Sequence, residues 1–429
     1  MRARYAGIRL VASALAALLA WGCGAAGDGS RGAPGGRSVT LLVPPSERPA
    51  WIELARAHER RRPGARVEIV EGPQSTDLRE NLCTASLLAR DPTFDLLYLD
   101  VTWAPKFAAA GWLVPLDGLL SESELSEFLP AALATGRHRG RLYRVPVRTD
   151  CGLLYWRSDW LEEAGRAPPE TFDELLAAAK ALQDPPGRWG FVWQGKQYEG
   201  LVCAFLEVLH GFGGSWIDPE TGSVALDAPE AIEALTFLRR CIADDRVSPP
   251  GVATYQEEES RRIFQDGRAV FLRNWPYAWR LAQAEGSPLR GKIGAGPMVR
   301  AEGGRRSATL GGWGLGISAF SRRPEEALDF IRFVTSLEGQ RILCRDTGYA
   351  PARAEAYRDS VLLAANPFLP TIARVHADAV PRPVFPAYAV ASDVLQRQLS
   401  AALAGSVSPE TALRRAAKQT RRLVGTVTP

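Results

Sequence analysis

The residues best suited to chemistry in this chain are acids and indoles set near strand ends, and they suit the recognition of hydroxyl groups. An ionised carboxylate offers two acceptor oxygens, so Glu47, Asp100, Asp150 and Glu199 can each take hydrogen bonds from vicinal hydroxyls. Trp103, Trp275 and Trp313 can stack on the apolar faces of ring-shaped polyols. Taken singly, an Asp or a Trp is more often structural, and the argument rests on their shared position. Trp313 stands in Gly311-Gly-Trp-Gly-Leu-Gly-Ile-Ser318, where backbone without side chains lets a flat ligand approach main-chain donors. The alternative for this stretch is a Gly-rich turn around a core Trp.

Other chemistries fail on spacing. Gly190 to Lys196 nearly spells a phosphate-binding loop, but Gln197 stands where a Ser or Thr must hold magnesium, and Trp193 and Gln194 crowd the cradle. Gly312, Gly314 and Gly316 lack the third glycine of a dinucleotide fingerprint, because Ile317 occupies that place. His58, His138, His210 and His376 have no metal-ligand spacing, and neither a metal nor a cofactor is expected. No G-x-S-x-G elbow occurs.

The elements that must position the acids alternate strand and helix. Thr40 to Val43 reads as a strand, followed by a helix through Trp51 and Leu54 that stops at Pro63-Gly64. Val67 to Val70 and Leu96 to Leu99 are further strands, with a helix over 77–89 between them. This alternation implies an α/β fold on a mostly parallel sheet covered on both faces, with ligands beyond the carboxyl ends of the strands. Glu47, Thr76 (or its neighbour Ser75), Asp100 and Trp103 all fall there. Pro146 to Asp150 reads as a crossover between two strands, and Gly311-Gly312 as a loop leading into a short strand at Leu315 and Ile317. Thr171 with Glu174 makes a capping box. Trp193 to Glu199, which includes Tyr198, is a polar and aromatic loop feeding a helix.

A chain of 429 residues is too long for one ordinary core, so two lobes are expected. Hydrophobic residues make up 46% and charged residues 23%, a globular rather than disordered balance. Residues 1–22 have a basic start and a short apolar run, the pattern of a removable leader. Removing its Arg2, Arg4 and Arg9 lowers the net charge from +4 to +1, which gives no argument for nucleic acid. Residues 24–37, rich in Gly, Ala and Ser, suit a flexible tether. Cys83, Cys151, Cys203, Cys241 and Cys344 are odd in number; Cys203 and Cys241 can form one bridge, and buried free thiols are the other reading.

Several motifs together resemble the family 1 extracellular solute-binding proteins of ABC importers. They are Asp95-Leu-Leu-Tyr-Leu-Asp100-Val-Thr-Trp103 with Gly111-Trp-Leu, Val145-Pro-Val-Arg-Thr-Asp150 through Arg157, and Gln194 to Gly200. Arg273-Asn-Trp-Pro-Tyr277, Gly311 to Ser318, and Arg382-Pro-Val-Phe-Pro-Ala-Tyr388 complete the set, which covers nearly all of the chain after its leader. The similarity is to the trehalose/maltose-binding branch. Cys23, after the leader, resembles a bacterial lipoprotein cysteine, although Ala20 stands where the usual pattern has Leu; ordinary cleavage and release is the alternative.

The resemblance implies a two-lobed, type II periplasmic-binding-protein fold with a sugar between the lobes. One lobe would hold 38–146 and 293–345, the other 147–292 and 346–429. Polar contacts would fall to Glu47, Thr76, Asp100, Asp150 and Arg382, with Trp275 and Trp313 sandwiching the sugar and Gly311 offering main-chain contact. Tyr198 and Glu199 lie in a branch-specific motif. Arg148 departs from the branch, which often has an aromatic residue there, and leaves the second sugar unit open. The implied function is a monomeric, membrane-tethered binding protein on the outer face of the cell membrane. It would deliver an α-linked disaccharide to a permease pair powered by a cytoplasmic ATPase. A secreted glycoside hydrolase using paired carboxylates is the competing reading, and a sensor module a third.

Overall fold

The computed structural model describes residues 37–425 except 219. The leader, Cys23 and the tether over 24–36 lie outside the described residues. Among the described residues, eleven strands build two sheets, and Arg137–His138 pairs with Arg141–Leu142 as a separate two-stranded ribbon. In chain order they are β1 (Arg37–Val43), β2 (Ala65–Glu71), β3 (Leu96–Asp100), β4 (Val145–Cys151) and β5 (Leu153–Arg157), then β6 (Trp189–Val192) and β7 (Ala269–Asn274). The last four are β8 (Ile293–Gly296), β9 (Thr309–Ile317), β10 (Ala350–Pro351) and β11 (Val380–Pro381). The larger sheet runs β10-β4-β9-β3-β1-β2, with β11 paired to the start of β9; the smaller runs β8-β5-β7-β6.

The larger sheet is mixed, which corrects the expectation of a mostly parallel one. β1 is parallel to β2 and β3, as the strand–helix alternation required. β9 then runs antiparallel between β3 and β4. The loop expected at Gly311-Gly312 is therefore part of a central, wholly buried strand, which carries the short strand expected at Leu315 and Ile317 back to Thr309. Its glycines answer to neighbouring backbone. A Cβ on Gly314 would stand 2.4 Å from Val145 O, and Gly312, at φ 138°, would put one 2.7 Å from Arg148 O. The pairing slips between Trp313 and Gly314, which brings Trp313 opposite both Asp100 and Arg148.

The second correction concerns 146–150. The segment read as a crossover is the buried strand β4, and the chain changes sheet at Gly152. A side chain at Gly152 would collide with Glu207 Oε1, and Glu207 is fully buried in a pair with Arg273 of β7. Losing one partner of such a buried pair costs about 3–5 kcal/mol, because the other charge is left uncompensated.

Helices cover both sheets where their apolar faces match. The helix Arg48–Arg61 buries Trp51 and Leu54 beneath β3, and Pro324–Thr335 adds Phe330, Ile331 and Val334 to the same core. Glu199–Gly211, Pro229–Ala243, Tyr388–Leu403 and Pro409–Gly425 share a second core with the smaller sheet. The first core also takes in Leu153, Tyr155, Val192, Ala269 and Leu272 of the smaller sheet. β8 lies in the smaller sheet, and the helices Ser360–Ala365 and Leu369–Ala377 pack into the first core. The Thr171–Glu174 capping box forms as read. Cys203 and Cys241 are separate buried thiols rather than a bridge. Among the described residues, no helix is long and apolar enough to cross a membrane.

Candidate functional site

Two buried arginines gather the four carboxylates. Arg148 sits on β4 at 7% exposure, where the pleat turns its side chain away from Val147 and toward β3. Its Nη2 donates to Glu47 Oε1 at 3.1 Å, its Nη1 to Asp150 Oδ2, and its Nε to the Tyr98 hydroxyl at 3.0 Å. Glu47 closes the turn after β1 and immediately precedes the helix Arg48–Arg61. Arg382, 4% exposed, follows β11. Its Nη2 donates to Asp100 Oδ1 at 2.9 Å, and its Nη1 to Glu199 Oε1 at 2.7 Å. Asp100 ends β3, while Glu199 opens a helix of the second core, so Arg382 ties the two sheets' territories together.

These charges remain in place for stated reasons. Burial works against the Arg148 cation, but Asp150, Tyr98 and Glu47 outweigh it and hold its pKa well above the ordinary arginine value. Burial works against Arg382 too, and Asp100 is the largest influence that reverses it. Burial pushes the Asp150 carboxyl up to about 6 while Arg148 pulls against it. Asp77, one turn from Glu80, is raised to about 7 by burial first and then by Glu199, Glu80 and Asp100. Two acceptor atoms, Glu47 Oε2 and Asp150 Oδ1, are buried without a protein donor.

The indoles divide. Trp313 is 8% exposed and boxed in: Tyr98 lies 4.9 Å from it, Trp103 meets it edge-on at 5.4 Å, and the Arg79 guanidinium sits 4.5 Å over its ring. Trp275 is half-buried just after β7. Arg273 covers one face at 4.2 Å, and a side chain on Gly311 would come within 3.1 Å of the ring. Its Nε1 donates to Glu257 Oε1 at 3.3 Å.

The sequence profile of the bacterial extracellular solute-binding proteins matches residues 44–341. The chain belongs to this family. A probable ABC transporter-binding protein of Deinococcus radiodurans is 35% identical over 371 residues, 84% of this chain and 87% of that one. A maltotriose-binding protein of Pyrococcus abyssi is 28% identical, over 68% of this chain and 61% of its own length. The maltose-bound structure of T. maritima MalE3 is similar to this fold with a TM-score of 0.86 and 41% identity, covering 90% of this chain and 99% of that one. The fold is the two-lobed, type II α/β arrangement of these proteins.

In this solute-binding protein, Glu47 and Asp150 meet on Arg148, Asp100 and Glu199 meet on Arg382, and Trp103 and Trp313 pack edge to face nearby. Gly311 pairs with Asp150 across β9 and β4 and touches Trp275. Two residues stand apart. Thr76, half-buried at the start of the helix Thr76–Leu88, has no hydrogen bond to either network among the described residues. Tyr198 is buried near Glu257, on the Trp275 side. Sequence reasoning missed Arg79, which donates to Pro73 O and Gln74 O at 3.0 and 2.9 Å beneath its contact with Trp313. Its only local signal was its place one turn after Thr76. Tyr388 and Ser392, which donate to Glu199, were likewise unread. A cavity of about 310 Å³ lined by Phe172, Phe212, Ile232, Phe237 and Arg240 shares no residue with these networks.

Proposed function

We propose that the protein captures an α-linked disaccharide of the trehalose or maltose type between its lobes and hands it to an ABC permease. The observation that carries this reading is the pair of buried, donor-less acceptors, Glu47 Oε2 and Asp150 Oδ1, beside the half-buried Trp275. A buried acceptor without a donor costs roughly 1–3 kcal/mol, which a sugar hydroxyl would relieve. Trp275 offers the aromatic face, while Asp100 and Arg382 supply a further acceptor and donor. Trp313 then acts from behind, as the wall against which Arg79 and Tyr98 pack. In this reading the larger sheet and its core form one lobe, the smaller sheet and second core the other. The maltose and maltotriose ligands named for the relatives support the sugar class.

The glycoside-hydrolase alternative needs a carboxyl that hands a proton to a glycosidic oxygen. Glu47, Asp100, Asp150 and Glu199 are each engaged by a guanidinium instead of standing free for that role. We extend the proposal to export and to lipid attachment through Cys23. A thermal-shift screen over a sugar panel, with glucose release followed in parallel, tests the reading. Stabilisation by maltose or trehalose without released glucose supports it; released glucose, or no stabilisation by any sugar, overturns it.

A further inference from the structure

Arg148 is placed to do more than neutralise charge. Each of its three nitrogens already has an acceptor: Tyr98 at Nε, Asp150 at Nη1 and Glu47 at Nη2. Its guanidinium also lies 4.0 Å over the Tyr349 ring, so the plane is fixed from one side as well as along its edge. The two terminal nitrogens of a guanidinium are rigidly coplanar. Carboxylates bound one to each are therefore held side by side. Their other oxygens, Glu47 Oε2 and Asp150 Oδ1, are both buried and neither meets a donor at hydrogen-bond geometry, although the Tyr349 phenol lies beside the Glu47 carboxylate. A lysine would not produce this arrangement, since a single ammonium cannot set two carboxylates in one plane.

We infer that Arg148 is a positioning residue that makes Glu47 Oε2 and Asp150 Oδ1 a fixed pair of acceptors, selecting at this end of the cleft an uncharged ring with two adjacent hydroxyl donors. The inference rests on the sugar-binding reading above. The two free oxygens can only accept, so a ring carboxylate, which has no proton to offer them at neutral pH, is rejected. A ring lacking one of the two hydroxyls leaves an acceptor buried and bare, and loses affinity by about 10- to 100-fold.

The groups facing Arg148 and Asp150 decide how the pair titrates. They are Glu47 from the turn after β1, Tyr98 and Asp100 from β3, Arg79 and Arg144, and Cys344, Tyr349 and Tyr357. Burial raises the three phenols and the Cys344 thiol, which stay neutral in the working range. The carboxylates and arginines then set the profile. A hydroxyl donates to an ionised carboxylate, so binding lowers the Asp150 pKa, and affinity rises with pH through about 6 before levelling. Without the cation, the pull of Arg148 that lowers the Asp150 carboxyl is lost, and Asp150 titrates at higher pH.

The test uses the full chain, Arg148→Met and Arg148→Lys, titrated calorimetrically from pH 5 to pH 8 with maltose, trehalose and their monodeoxy derivatives. For the wild type, we expect a rise near pH 6 and a deoxy penalty of at least about tenfold. Arg148→Met moves the rise to higher pH. Arg148→Lys keeps the rise near pH 6, because a cation remains, but loses most of the deoxy penalty. Lysine carries the test alone if the methionine variant does not fold. An unchanged pH profile in Arg148→Met, or a full deoxy penalty in Arg148→Lys, overturns the inference while leaving the sugar reading intact. Absence of wild-type binding to either parent sugar overturns both.

Discussion

Arg382→Ala removes the cation that Asp100 and Glu199 share, and the structure allows its cost to be worked out. Arg382 is nearly fully buried, and both carboxylates lie within 3 Å of it. Breaking a buried pair from one side costs about 3–5 kcal/mol. Asp100 keeps Thr102 N and Oγ1 at 3.0 and 2.9 Å, and Glu199 keeps the Tyr388 hydroxyl at 2.5 Å and Ser392. Those remaining donors point to the low end, about 3 kcal/mol. At roughly 2 cal/mol/K of unfolding entropy per residue, a chain of this size should melt about 4 °C lower. Folding is therefore affected as well as binding, unlike for a residue facing an open cleft. Scanning calorimetry at pH 7 measures the shift, and Arg382→Lys should recover less than half of it because an ammonium has no fork. A melting point within about 1 °C of wild type would refute the reasoning, since no buried pair of this kind would then be acting.

Trp275→Ala should weaken sugar binding by about 1–3 kcal/mol with little change in melting, whereas Trp313→Ala should cost about 3–5 kcal/mol of stability, because Trp313 is boxed in and Trp275 is not. Denaturant unfolding paired with calorimetric titration separates the two, and equal stability losses would contradict the division. Asp77 has a folded pKa of about 7, above its unfolded value, so its stabilising contribution is present below pH 4 and lost as pH rises through 7. Asp77→Asn should thus melt higher than wild type at pH 8 by more than it does at pH 5; an equal difference at both would remove Asp77 from the titration. Cys23→Ala should move the protein from the membrane to the soluble fraction on cell fractionation, and continued membrane attachment would defeat lipidation.

Much of the fold was legible because its signals are local. Pro229 at a helix start, the Thr171–Glu174 box and the apolar run Leu96–Leu99 each depend on residues within a few positions, and each element formed where read. Only the end of the glycine strand β9, at Leu315 and Ile317, was legible, because its glycines are required by carbonyls of Val145 and Arg148, more than 160 residues earlier. Nor was β4, whose Pro146, Arg148 and Asp150 look like a loop until Glu47, 101 residues away, meets Arg148. The acids of the candidate site were readable as strand-end carboxylates. Of their arginine partners, Arg382 was named through the family motif and Arg148 noted as a departure from it, but nothing in a local window distinguishes Arg148, or Arg79 against Trp313, from a solvated side chain. Trp313 illustrates the limit best. Its large ring was readable, but the Tyr98, Trp103 and Arg79 packing that boxes it in depends on three separate segments.

The most direct test of sugar capture by these carboxylates is a calorimetric titration of maltose and trehalose into wild type and Asp150→Ala, side by side at pH 7.5. At that pH Asp150 is ionised and can accept a hydroxyl. The account predicts saturable one-to-one binding of at least one sugar by the wild type, weakened in Asp150→Ala by about 1.5–3 kcal/mol, the range for hydrogen bonds to charged groups. Equal affinity in the two proteins, or no binding to the wild type, would contradict it.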